Sequence, residues 1–205
     1  MSEQPKTFAF TGEYLEKAKW HISKYPEGRK QSAVMPLLDL AQRQNGGWIP
    51  QPAIDCIADM LGMASIRVYE VATFYTMYNL KPVGKHFVQV CTNLPCWLRG
   101  SDQVMAAAEK VTGCRHGETS DDGMFTVLEV ECLGACVNAP MMQIGDDYYE
   151  DLDSSSTEEI LKTLKAGGKP KVGSQIGRHT CEPAGGITTL TEMYPDRAAK
   201  PGGDD

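Results

Sequence analysis

The stretch Asp122-Gly-Met-Phe125-Thr-Val-Leu-Glu-Val130-Glu-Cys132-Leu-Gly134-Ala-Cys136-Val-Asn-Ala-Pro140 sets the reading of the whole chain. It joins a β-branched and aromatic run, Phe125 to Val130, to two cysteines in C-x3-C spacing. A second such junction stands upstream, where Phe87-Val-Gln-Val90 leads into Cys91 and Cys96 in C-x4-C spacing. Runs of this composition bounded by turn-forming residues form strands. Two strand ends can therefore face each other across one site, each continuing into a segment that offers two sulfurs. Gly134 and Ala135 are small enough to let main-chain N–H groups point at sulfur, which stabilises negative charge on a metal centre.

Several chemistries compete for four such thiols. Structural disulfides suit oxidising compartments, and the seven cysteines here stand in a 205-residue chain whose first residues carry no secretory h-region. A zinc site held by four thiolates commonly uses C-x2-C in both halves, and neither pair has that spacing. A thioredoxin-type dithiol needs the same C-x-x-C and is excluded on that ground. A Rieske centre needs two histidines; Cys114-Arg-His116 imitates half of one, but no histidine stands three residues after Cys132. An iron-sulfur cluster is the favoured reading. Spacing alone leaves 2Fe-2S and 4Fe-4S open, with zinc as the competitor.

The motif residues themselves resemble a known family. Asp122-Gly-Met-Phe-Thr126, five residues, then Cys132-Leu-Gly-Ala-Cys136-Val-Asn-Ala-Pro140 resembles the signature of the 24-kDa component family of NADH-quinone oxidoreductase, respiratory complex I. The likeness extends to Cys91-Thr-Asn-Leu-Pro-Cys96, to Phe74-Tyr75 and to Cys181-Glu-Pro-Ala-Gly-Gly-Ile-Thr-Thr-Leu-Thr-Glu192. The resemblance implies one 2Fe-2S cluster bound by Cys91, Cys96, Cys132 and Cys136 in a thioredoxin-like ferredoxin domain. It also implies two partners: a flavin- and NADH-binding protein of the 51-kDa type, which holds FMN, and a larger iron-sulfur protein of the 75-kDa type. The implied role is electron exchange with that FMN in the NADH dehydrogenase module. Similar components of NAD-reducing hydrogenases and NAD-dependent formate dehydrogenases are the alternative, and the tail motif favours complex I. A zinc-stabilised, redox-silent assembly module is the alternative from another class.

Composition narrows the function from the other side. At 41% hydrophobic the chain can bury a core, and a formal net charge of -7 gives no basic block to replace counterions on nucleic acid. No apolar stretch approaches the roughly 20 residues of a membrane span. Met1-Ser-Glu-Gln-Pro-Lys6 has neither a signal-peptide pattern nor an Arg-rich transit pattern. The expected location is the bacterial cytoplasm, on the cytoplasmic side of the inner membrane through the assembled complex only.

The predicted fold class is α+β, a small N-terminal helical bundle followed by a thioredoxin-like α/β ferredoxin domain. Residues 1–82 read as the bundle: Thr11 capping a helix to Lys24, a second from Arg29 to Asn45 with Pro36 in its first turns, a third from Pro52 to Gly62, and a fourth capped by Ser65. The aromatic run Phe74-Tyr-Thr-Met-Tyr78 is expected to be buried between domains. Residues 83–168 read β-α-β-β-β-α: strand 87–90, cluster loop 91–96, helix 97–112, strand 125–130, a hairpin 141–149 around Gly145-Asp146, and a helix opened by Thr157. Asn93-Leu-Pro95 and Ala139-Pro140 are expected to cover the thiolates. Residues 169–205, rich in Gly and Pro, read as an extended tail that lies along a partner, with disorder from about Arg197. Cys114 and Cys181 read as spare thiols and Cys56 as core packing; His86 and His116 read as solvent-facing, His21 as lying on a helix surface and His179 as part of the tail. Neither a G-x-G-x-x-G after a strand nor a phosphate loop is present, so FMN and NADH belong to a partner.

Overall fold

A computed structural model describes residues 4–197 of the chain, which divide into two compact units, one ending at Lys85 and the other beginning at His86. The expected disorder past residue 197 and the reading of residues 1–3 lie outside the described residues.

The first unit is helical. Helix α1 spans Gly12–Ser23, a 3-10 turn Lys30–Ala33 leads into α2, Val34–Gln44, and α3 and α4 follow at Gln51–Leu61 and Ser65–Phe74. Apolar residues at helical spacing turn one stripe of each helix inward: Ala18, Leu37, Leu38, Ala41, Ile54, Ile57, Leu61 and Val68 are all buried in one core. Each fully buried aliphatic side chain contributes about 1.5–3 kcal/mol relative to exposure. The apolar periodicity predicts one helix from Arg29. The α-helix instead starts at Val34, which places Pro36 at its third position, where the missing N–H would have had no intrahelical partner. Thr11 and Ala64 occupy the N-cap positions of α1 and α4 without a side-chain cap, so Ser65 is the first helical residue rather than the cap. Of the aromatic run, only Tyr78 is buried, its hydroxyl donating to the Met35 carbonyl at 2.9 Å. Phe74, Tyr75 and Met77 are exposed.

The second unit is a six-stranded sheet with two long helices. Its strands are β1 (His86–Cys91), β2 (Glu118–Thr119), β3 (Phe125–Val130), β4 (Met142–Ile144), β5 (Asp147–Glu150) and β6 (Gly173–Ser174). The helices are α5 (Leu94–Leu98), α6 (Ser101–Thr112) and α7 (Ser154–Lys165). The strands lie in the order β2-β3-β1-β4-β5-β6. β1 and β3 are parallel neighbours in the register Cys91 to Val130, and β4 pairs antiparallel with β1. Alternate residues Val88, Val90, Phe125 and Val127 face a core shared with Val104 and Ala108 of α6 and with Ile160 and Leu161 of α7. This is the expected α+β class. It aligns the C-terminal ends of β1 and β3, which is what brings the cysteine segments together.

Three local expectations are corrected. The helix expected over 97–112 is two helices broken at Gly100, whose φ of +98° admits a side chain only with strain. The first cysteine segment is accordingly not a loop throughout: Cys96 lies inside α5. Helix α7 begins before Thr157 because Asp153, not Thr157, is its N-cap. The Asp153 carboxylate accepts the Ser156 N–H at 2.7 Å and Ser156 Oγ accepts the Asp153 N–H at 2.9 Å. β2 and β6 are two residues each, too short to show a period of two. β6 adds the beginning of the tail to the sheet beside β5.

Among the described residues no helix is long and apolar enough to cross a membrane.

Candidate metal centre

Cys91 is the last residue of β1, and its N–H donates to the Met141 carbonyl at 3.2 Å. The chain then turns through Thr92 and Asn93. Asn93 caps α5 by accepting the Leu94 N–H at 2.9 Å, and Pro95 sits in the first turn, where its lack of an N–H costs nothing. Cys96 follows on that turn. Both sulfur-bearing residues are buried, in a small cluster with Ala139 and Met141 against which Leu133, Ala135 and Tyr148 pack.

The second pair stands on irregular backbone. Two residues past β3, Cys132 begins a segment that ends in a 3-10 turn, Cys136–Asn138. Cys132 and Cys136 are exposed, with their sulfurs 3.3 Å apart. Gly134 has a φ of +85°, and its N–H points at the Cys132 sulfur, 3.4 Å away. Main-chain and side-chain contacts join the two segments: Thr92 N–H donates to the Val130 carbonyl at 3.3 Å, Thr92 Oγ1 to Glu129 at 2.6 Å, and Asn93 to Glu131.

The four sulfurs form one electrostatic neighbourhood. Burial first, then the hydrogen bond with Cys91, pushes the Cys96 thiol up to about 12, and the charge of Cys136 acts in the same direction. The Gly134 N–H, followed by the Cys136 thiol, holds Cys132 below the ordinary thiol value. Hydrogen bonding to Cys132, then burial, raises Cys136, and the charge of Cys91 is felt there too. The two sulfurs of the exposed pair are thus shifted in opposite directions. A metal bound here would displace the thiol protons.

The donor set fits a binuclear cluster. Each iron of a 2Fe-2S centre takes two protein thiolates, and the sulfurs stand as two pairs, with a main-chain N–H already directed at one of them. Among the described residues no three His, Cys, Asp or Glu side chains gather as ligands of a single ion. Apolar cover is present on the inner side through Ala139, Met141 and Leu133. It is incomplete outside, where Leu94, Trp97, Leu98 and Val137 are exposed in and beside the cysteine segments.

The remaining candidates lie elsewhere. Cys114 is buried in the helix-sheet core, its sulfur donating to Thr112 Oγ1 at 3.3 Å. Cys56 packs against the first unit's core and Cys181 is exposed. His116 is exposed, as expected, and its ring accepts the Glu129 N–H at 2.8 Å, whereas the half-buried His86 ring stacks tilted on Phe125. Sequence reasoning missed Arg178, Asp151 and Asn138, which converge on the Cys136 turn. Asn138 lies within the Cys132–Pro140 motif, but no local motif marks Arg178 or Asp151.

Residues 18–165 match the family described as thioredoxin-like 2Fe-2S ferredoxin. The chain is 56% identical over 165 residues to the E component of the NADH-quinone oxidoreductase of Rickettsia conorii, covering 80% of this chain and 99% of that one. It is 52% identical over 185 residues to the mitochondrial NADH dehydrogenase (ubiquinone) flavoprotein 2 of Dictyostelium discoideum, covering 90% of this chain and 75% of the relative. Among solved structures, an NAD+-reducing NiFe-hydrogenase in its H2-reduced state superposes with a TM-score of 0.56 at 16% identity. That match covers 64% of this chain and 22% of the hydrogenase chain, a likeness of fold.

Proposed function

Since this chain belongs to the thioredoxin-like 2Fe-2S ferredoxin family, we propose that Cys91, Cys96, Cys132 and Cys136 hold one 2Fe-2S cluster through which the chain passes single electrons. The chain acts as the 24-kDa-type electron-transfer component of an NADH-quinone oxidoreductase. The observation that carries this reading is the placement of two thiol pairs at the adjacent ends of the parallel strands β1 and β3. Likeness to the Rickettsia component over nearly all of its length supports the assignment to complex I rather than to a hydrogenase.

When bound, the cluster supplies a one-electron couple. The protein's part is to keep the centre in place and set how readily it takes charge. The four thiolates would hold the irons, and the Gly134 N–H, directed at the Cys132 sulfur, would offset negative charge there. Burial of Cys91 and Cys96 limits water on the inner side, and a lower local polarity disfavours added negative charge there. Residues 83–168 thus carry the redox centre, while residues 1–82 and part of 169–205 serve attachment to neighbours. The electron donor is FMN in an NADH-binding partner of the 51-kDa type, with a larger iron-sulfur partner of the 75-kDa type beyond it. The exposed apolar residues Leu94, Trp97, Leu98 and Val137, next to the four cysteines in sequence, offer apolar surface for such a partner. Attachment to the membrane, on the cytoplasmic face, comes through the complex.

Anaerobic mixing with NADH tests the partner assignment. NADH alone should leave the visible absorption of the chain unchanged, and NADH with a catalytic amount of the flavin-binding partner should bleach it. Bleaching by NADH alone, or none with the flavoprotein although dithionite bleaches the sample, would contradict the proposed route.

A further inference from the structure

Just after β5 the chain turns at Asp151, whose φ is +54°, a region seldom used by residues other than Gly, Asn and Asp. The Asp151 N–H donates to the Asn138 carbonyl at 2.8 Å and the Leu152 N–H to the Pro140 carbonyl at 3.0 Å. The turn is therefore tied to the backbone just past Cys136. Into it reaches Arg178, from the tail, whose own N–H is held by Ser174 Oγ of β6 at 3.1 Å. Arg178 Nε donates to Asp151 Oδ2 at 3.1 Å and Nη2 to Asp151 Oδ1. These side chains are only 9% and 4% exposed.

The guanidinium makes two further bonds. Nη2 donates to the Val137 carbonyl at 2.8 Å and Nη1 to the Glu182 carbonyl at 2.9 Å. Asn138 Nδ2 adds a bond to the Thr180 carbonyl at 2.8 Å and stands 3.4 Å from Asp151 Oδ2. Within the Cys136 turn itself the main-chain bonds are Asn138 N–H to Ala135 at 3.0 Å and Ala139 N–H to Cys136 at 3.4 Å, and the bond to the Val137 carbonyl comes from Arg178. A buried ion pair gains little net stability over an apolar pair of the same shape. What it does supply here is direction, because a planar guanidinium aims its donors at two acceptors in fixed geometry.

We infer that Arg178, braced by Asp151, is a positioning residue for the metal centre: by holding the Val137 carbonyl it keeps the Cys136 turn in the conformation that presents its sulfur beside Cys132. Arg178 touches no ligand sulfur and carries no electron. The inference rests on Cys132 and Cys136 being ligands, as proposed above.

The test uses the full chain, purified anaerobically with its iron counted, in four forms: wild type, Arg178→Lys, the double variant Arg178→Met with Asp151→Asn, and Arg197→Ala. The double variant removes both charges and leaves neither buried alone. Arg197→Ala breaks another tail ion pair, Arg197 with Glu182, whose side chains make no bond to the Cys136 turn, while the Glu182 carbonyl that accepts from Arg178 is left in place. Iron release to excess chelator and the EPR line shape of the reduced sample are read alongside thermal unfolding. Release from the double variant should be at least about tenfold faster than from wild type, the usual scale for losing a group that orients a metal ligand. Its EPR lines should broaden, Arg178→Lys should fall between, and Arg197→Ala should match wild type. Wild-type release and line shape in Arg178→Lys would overturn the inference, and that variant decides if the double variant does not fold. Equal acceleration in Arg197→Ala would overturn it too, by making the effect a general one of the tail. A wild type without iron would instead sink the cluster assignment itself, and the inference with it.

Discussion

Cys91 and Cys96 are held by regular structure, one closing a central strand and the other on the first turn of a helix, and both are buried. Cys132 and Cys136 are exposed on a turn of irregular backbone, and what holds them comes from far along the chain: Tyr148, whose hydroxyl donates to the Leu133 carbonyl at 2.8 Å, and Arg178 on the Val137 carbonyl. One half of the site is built by backbone ladders and local capping. The other is built by long-range side-chain contacts. A metal centre can thus be half preformed by the fold and half dependent on contacts made only when the tail is in place.

The strongest way to break this comparison is to remove a proposed ligand from each half. Cys96→Ser and Cys132→Ser should each abolish iron retention, whereas Cys114→Ser and Cys181→Ser should keep the wild-type iron content. Iron lost from Cys114→Ser with the fold intact would mean that the ligand set is wrong. Next in size is a backbone change confined to the buried half. Gly100→Ala forces an alanine to φ near +98° at the α5–α6 break and should cost about 1–2 kcal/mol in chemical denaturation. A neutral outcome would show that the break can shift without strain. Tyr148→Phe acts on the exposed half alone. It leaves the Leu133 carbonyl without its donor and should cost about 1 kcal/mol, with faster iron release to chelator. Unchanged release would detach Tyr148 from the site.

The smallest effect is a pH dependence away from both halves. Glu158 on α7 accepts from Lys110 of α6 at 2.7 Å and from Lys162 at 2.6 Å, bonds that depress its carboxyl to about 2. The folded value lies below the unfolded one, so this contribution is fully present above the ordinary glutamate range and is lost as pH falls through about 2. Salt should weaken it, the pair being solvent-facing. Glu158→Gln should melt slightly below wild type at about pH 6, with the gap closing towards about pH 2. Iron retention at the higher pH should be untouched. A gap that widens in acid would reverse the sign of the coupling.

The same contrast explains what the sequence makes legible. The strands leading into Cys91 and Cys132 follow from β-branched and aromatic runs, and β3 spans the expected Phe125–Val130. The Gly134 N–H directed at sulfur follows from a small residue between two cysteines. The α5–α6 break has a signal, Gly100 before Ser101 and Asp102, that the apolar run through Leu98 obscures. Asp153 is a less obvious cap because its box closes on Ser156, while Thr157 with two glutamates after it offers the more familiar pattern. Arg178 has no signal at all. Its partner carbonyl is 41 residues away, and a lone arginine in a Gly-rich segment reads as solvated until the chain is folded.

One measurement goes most directly to the claim that four cysteines hold one 2Fe-2S cluster: EPR of the anaerobically purified chain before and after dithionite, with iron, sulfide and zinc counted on the same sample. The expected result is about two irons and two sulfides per chain and a rhombic S = 1/2 signal that appears on reduction. Stoichiometric zinc, with no iron even after anaerobic reconstitution and no signal, would contradict it and make the four thiols a structural site.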